Sequence, residues 1–90
     1  MIAKSERDKA RRLRALNFIN ASKSAAKCCC CGNADPRVLE FHHWFPESKS
    51  FGISEARRLR LRPERIAAEI AKCVAVCSNC HQIIELECII

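Results

Sequence analysis

A small α+β fold preceded by a basic helix is what this sequence predicts, and three observations predict it. The chain has 90 residues, the size of one modest domain. Two Cys-x-x-Cys pairs, Cys28/Cys31 and Cys77/Cys80, lie next to short apolar runs of strand length. Residues 1–27 contain no Gly or Pro and carry the whole net charge.

The elements follow in order. Residues 4–26 are expected to form one helix, because Ala10, Leu13 and Leu16, with Phe18 and Ile19 nearby, recur near helical spacing. Leu13, Leu16 and Ile19 are its expected docking side. Lys4, Arg7, Arg11 and Arg14 recur at three and four, along another side. Residues 32–36 form a turn cluster after the first cysteine pair. Residues 38–42 are a strand ending at a His-His dipeptide, and 44–49 are loop, punctuated by Pro46. Ser54 is expected to cap a short helix to about Arg60. Pro63 suits the first turn of a helix over 63–71. Residues 73–76 are a short apolar strand. Ser78 or Asn79 can start a last helix to about Cys88. No repeat or low-complexity segment interrupts this order.

The net charge is +6. Residues 1–27 hold eight Lys/Arg and two acids, whereas residues 28–90 hold eight of each and sum to zero. That divides the chain into a basic N-terminal helical arm, 1–27, and a neutral body, 28–90. A basic arm is an electrostatic footprint for a polyanion, most simply nucleic acid, or else a solvated helix that keeps a small protein soluble.

Eight cysteines in a short chain can mean a disulfide framework. Here the charged first residues lack the apolar core of a secretion signal. No apolar run is long enough to span a bilayer. The expectation is a reduced, cytoplasmic protein whose paired thiolates hold zinc. Cys28, Cys31, Cys77 and Cys80 would form a closed tetrahedral structural site. Cys29 and Cys30 are rival ligands inside the first pair. Cys73 and Cys88 are expected as packed thiols.

All three histidines fall in the same constellation: His42, His43 and His81. Adjacent residues of a strand point to opposite faces, so one histidine can face a metal and the other a substrate. His81 and Glu85 are four apart on the last helix and project from one side. His42, His81 and Glu85 would make a three-ligand site with open positions, the arrangement of a catalytic metal. His43 remains as an imidazole able to take a proton from water. The plainer readings are a surface or fifth-ligand His81 and an ordinary solvated Glu85.

From Cys28 to Glu85 the chain resembles the HNH endonucleases, through CCCCG, LEFHHWFPESKSFGIS and EIAKCVAVCSNCHQ in that order. It looks especially like the small phage and bacterial members with a four-cysteine zinc cluster. The resemblance implies a ββα-metal core and a DNA endonuclease, nicking or cleaving, that leaves 5′-phosphate and 3′-hydroxyl ends. It implies His43, three residues before Pro46, as general base and His42 as the preceding metal ligand. It implies His81 as the final metal-binding histidine, with Glu85 where many members place another ligand. Mg²⁺ or Mn²⁺ would be the working metal, with Ni²⁺ or Zn²⁺ able to occupy a histidine-rich site. The family's middle asparagine, which orients the base, is replaced by Lys72, a candidate phosphate contact. An asparagine at 72 is therefore expected to raise activity or leave it unchanged. DNA is the expected partner, contacted by Lys4, Arg7, Arg11 and Arg14. A bacterial cell or phage-infected host is the implied setting, with a homodimer or larger phage or host assembly open. The rival readings are a non-catalytic zinc-ribbon-like nucleic-acid-binding module and a protein-interaction zinc module.

Overall fold

The computed structural model describes residues 4–87. Among them, three α-helices flank one pair of strands. Helix α1 spans Lys4–Ser24, strand β1 Leu39–His43, helix α2 Pro63–Ile70, strand β2 Cys73–Cys77 and helix α3 Ser78–Glu87. Two single turns of 3₁₀ helix, Pro46–Ser48 and Ile53–Glu55, punctuate the connection from β1 to α2. Among the described residues no helix is long and apolar enough to cross a membrane. Cys88, expected as a packed thiol, lies outside the described residues.

The sheet is two-stranded and antiparallel, with Leu39 opposite Cys77 and His43 opposite Cys73. This register sets the two ends of the sheet apart. The Leu39 end adjoins the paired cysteines, and the His43 end adjoins α2. β2 runs into α3 without a loop. Ser78 secures that corner by giving both its N–H and its hydroxyl to the Val38 carbonyl, at 2.8 and 3.2 Å.

Two apolar clusters hold these parts. Ala15 and Ile19 of α1 pack with Phe51, Ile53, Ala56 and Ile66. Leu39, Val76 and Ile84 pack with Cys28 and Cys77. A 90-residue chain divided into two such clusters has a modest core, the kind that a metal could staple. The N-terminal helix, expected to dock through Leu13, Leu16 and Ile19, is docked on the body by Ala15 and Ile19. Its rotation differs from the expected one: Leu13 is 53 % exposed, and Ala15, fully buried, takes the inward position. Alanine lets the helix axis approach α2 closely, and that outweighs the larger leucine a half-turn away.

The segment expected as a helix from Ser54 to Arg60 is instead one 3₁₀ turn followed by irregular turns. Ser54 lies inside the 3₁₀ turn, not at a cap. Arg60 takes a left-handed backbone with φ of 56°, which a helix cannot continue through. Its guanidinium meets Asp8 of α1 at 3.4 Å, so the turn and the helix are pinned together.

Candidate functional site

The two Cys-x-x-Cys turns converge. The sulfurs of Cys28, Cys31, Cys77 and Cys80 all lie within 4.8 Å of one another. Cys31 and Cys77 sulfurs are 3.7 Å apart, close to the ~3.8 Å edge of a tetrahedron with ~2.3 Å zinc–sulfur bonds. In each turn the second cysteine's backbone N–H points at the first cysteine's sulfur, at 3.5 Å. Gly32 follows the first pair with φ of 79°, a conformation that costs glycine little. The Cys29 N–H then bonds the Ala75 carbonyl at 2.9 Å and ties the turn to β2.

Burial opposes a thiolate at Cys28, yet backbone hydrogen bonds from Cys31, Cys77 and Cys30 outweigh it and lower its pKa to about 6. The neighbouring Cys77 side chain and burial push Cys80 upward. Four thiols this close cannot all ionise unless a cation lies among them. That donor set suits zinc. Cys29 and Cys30, the rival ligands, are exposed and lie outside the cluster, their sulfurs 3.8 Å apart. The seven described cysteines are free thiols. Burial raises the Cys73 pKa to about 11, as expected for a packed thiol.

The second cluster forms where β1 meets α3. His42 Nδ1 lies 3.0 Å from His81 Nε2, and His81 Nε2 lies 3.1 Å from Glu85 Oε1. The donor atoms of His42, His81 and Glu85 all lie within 4.8 Å of one another, a grouping that could hold one cation. Burial and the charges of His81 and His43 lower the His42 pKa, which favours the neutral, ligating form of that imidazole. Glu40, missed in the sequence, accepts from the far nitrogen of His81 at 2.6 Å. Its position two residues before His42 puts it on the same strand face. A carboxylate behind a ligating imidazole fixes the ring's tautomer and raises its basicity.

His43 lies on the other side of the strand end and is 8 % exposed. Its Nε2 meets Glu69 Oε2 at 2.8 Å. Burial opposes the Glu69 carboxylate, but the Ser50 N–H, the Lys72 ammonium and His43 together lower its pKa to about 2. An ionised carboxylate only accepts, so Nε2 donates to it, and in the neutral ring Nδ1 then carries the lone pair. No buried side-chain nitrogen or oxygen lacks a partner among the described residues. Nδ1, which has no hydrogen-bond partner among those residues, therefore reaches solvent. His43 also lines a cavity of about 280 Å³, with Lys23, Glu40, Lys49, Ser54 and His81.

Lys72, the candidate phosphate contact, is engaged inside the protein. Its ammonium donates to Ser48 O at 2.9 Å, Ser50 Oγ at 3.3 Å and Glu69 Oε1 at 2.9 Å. Those three acceptors use its three protons, and they close the loop over Glu69. These contacts bear on stability, separately from the activity expected of asparagine at 72. Lys72→Asn is expected to destabilise the fold by ~1–3 kcal/mol, the cost of leaving a buried acceptor short of a partner. Urea unfolding of the two proteins measures it, and equal midpoints would reject it.

Glu69 also predicts a pH dependence. Its folded pKa, about 2, lies below the ordinary 4.5. The resulting stabilisation is complete above the ordinary value and disappears as pH falls from there toward 2. The shift corresponds to ~3 kcal/mol. Glu69→Gln should lower stability at neutral pH and narrow the gap from wild type as pH drops through this window. Parallel stability curves for the two proteins would refute the ion pair.

Among the candidate DNA contacts, Arg7, Arg11 and Arg14 are exposed on α1. Lys4 opens that helix, and its side chain lies outside the described residues. No family model, curated protein or solved structure matches this chain.

Proposed function

We propose that this chain is a metal-dependent DNA endonuclease of the HNH kind, with a ββα-metal core built from β1, β2 and α3. One observation carries the reading. His43 is held at Nε2 by a buried carboxylate, reaches solvent at Nδ1, and lines the same cavity as His81. A fold-keeping histidine would have both nitrogens satisfied. This one is restrained at one nitrogen and accessible at the other, the form a general base requires.

His42, His81 and Glu85 would hold a divalent cation, Mg²⁺ or Mn²⁺, which when bound supplies positive charge to the scissile phosphate and the leaving 3′ oxygen. His43 takes the proton of the attacking water at Nδ1. Glu69, accepting from Nε2, stabilises the imidazolium that results. Glu40 orients His81. The four-cysteine cluster takes structural zinc and fixes the end of β2 from which α3 springs. One basic flank of α1 meets DNA.

Metal-dependent nicking of supercoiled plasmid tests the reading. Nicking by zinc-loaded protein only with added Mg²⁺ or Mn²⁺ is the expected result. DNA binding with no cleavage under any divalent metal would leave a zinc-ribbon-like binding module instead. A second measurement bears on the ligands. Glu40→Gln should weaken Mn²⁺ binding ~10–100-fold, as removal of a carboxylate behind a ligating histidine does, and His81→Ala should weaken it further. Electron paramagnetic resonance titration reads both, and unchanged Mn²⁺ affinity in His81→Ala would remove the site.

A further inference from the structure

A second concavity lies away from the histidines, a groove of about 680 Å³ between α1 and the turns that follow Ile53. Lys9 and Arg12 line it from α1, and Arg57 and Arg58 from the opposite wall, with Leu13 and Leu16 at its floor and side. Arg58 is partnered by Glu55 at 3.3 Å. Lys9, Arg12 and Arg57 have no carboxylate partner among the described residues. Three uncompensated cations converging on one groove call for an anionic occupant.

The groove has a direction. Ser54 lines both it and the cavity that holds His43 and His81. Lys23 of α1 lines that second cavity, with Lys49. On a helix of ~3.6 residues per turn, Lys9, Arg12, Leu16 and Lys23 all fall on one flank of the docked Ala15–Ile19 stripe. Arg7, Arg11 and Arg14 fall on the other flank, away from the histidines. From Lys9 to Lys23 the helix runs ~21 Å at ~1.5 Å per residue. One DNA strand presents about six phosphates over that length, at ~3.4 Å of axial rise each. The carboxylates nearest this path, Glu40 and Glu55, are occupied by His81 and Arg58.

We propose, resting on the nuclease reading above, that one strand of a DNA duplex follows this flank of α1. Lys9, Arg12 and Arg57 hold its phosphates, and the strand continues past Ser54 to the cavity of His43 and His81. Leu13 and Leu16, apolar and partly open, pack against sugars, which bear no sequence information. Binding along the groove is therefore insensitive to sequence. The substrate path lies on the opposite side of the helix from the arginine row that spacing alone singles out.

The test is binding, measured without added Mg²⁺ or Mn²⁺, so that cleavage does not enter it. Fluorescence anisotropy of a labelled short duplex over a salt series gives the log–log slope for the full-length, zinc-loaded protein. Arg12→Gln/Arg57→Gln should flatten the slope by ~1.8, at ~0.9 per lost phosphate contact. Arg7→Gln/Arg11→Gln should leave it within error. Zinc content and circular dichroism establish that both variants are folded, and Lys9→Gln provides an independent single-site check with a loss of ~0.9. The reverse pattern, or a slope moved by neither pair, overturns the groove. So does failure of the wild type to bind duplex DNA. The nuclease reading fails separately: groove-dependent binding without nicking keeps the groove and rejects the enzyme. Nicking with slopes indifferent to the groove does the opposite.

Discussion

Replacing His43 by alanine is expected to abolish plasmid nicking, with a rate loss of ~10²–10⁴-fold, the usual cost of removing a general base. The loss is expected in turnover, not in DNA affinity. His43 lines one cavity, and the uncompensated cations Lys9, Arg12 and Arg57 line the separate groove. The fold should survive, because Glu69 keeps the Ser50 N–H and the Lys72 ammonium, each within 2.9 Å. A penalty of ~1–3 kcal/mol for the lost partner is expected all the same. Rates are therefore compared well below the variant's unfolding temperature. Added imidazole, which can occupy the vacated space, should restore part of the activity. Nicking at the wild-type rate by a zinc-loaded His43→Ala protein would take His43 out of the reaction.

Removing zinc is expected to unfold the chain. Structural zinc sites in small domains bind with apparent free energies of ~10–16 kcal/mol. That equals or exceeds the ~5–15 kcal/mol by which whole domains are stable. Cys28 and Cys77 are not peripheral to the fold. Both are buried members of the second apolar cluster, with Leu39, Val76 and Ile84. Without the cation, the crowded thiols repel or reprotonate at the point where β2 passes into α3. Cys77→Ser should therefore lose bound zinc and the helical signal together. Cys29→Ser and Cys30→Ser should lose neither, since those exposed side chains lie outside the cluster. Chelator titration followed by circular dichroism and a zinc-release dye decides it. A native spectrum retained after complete metal loss would show that the apolar clusters suffice.

The parts legible in the sequence were those whose geometry is local. A Cys-x-x-Cys turn places two sulfurs together wherever it occurs, and His81 with Glu85 needs only one helical turn. Adjacent histidines at a strand end divide between its faces by the pleat. Glu40 was equally legible, because period two puts it beside His42, but a glutamate on a strand carries no signal until an imidazole is opposite it. Helix α1, both strands and α2 were marked by the absence of breakers, apolar runs and Pro63.

What only the tertiary structure decided depends on contacts far apart in the chain. Glu69 reaches His43 across 26 residues, and nothing near either residue announces the pairing. Lys72 has the composition of a phosphate contact and the position of a loop clasp, and its three acceptors decide which it is. The rotation of α1 was decided by Ala15, because close packing against α2 favours a small residue over the more hydrophobic Leu13. That rotation in turn selects which basic flank borders the histidine cavity. Spacing along a helix shows which charges share a side. Which side faces the site is fixed by the packing beneath it, since the docked stripe and both flanks turn together as one rigid element.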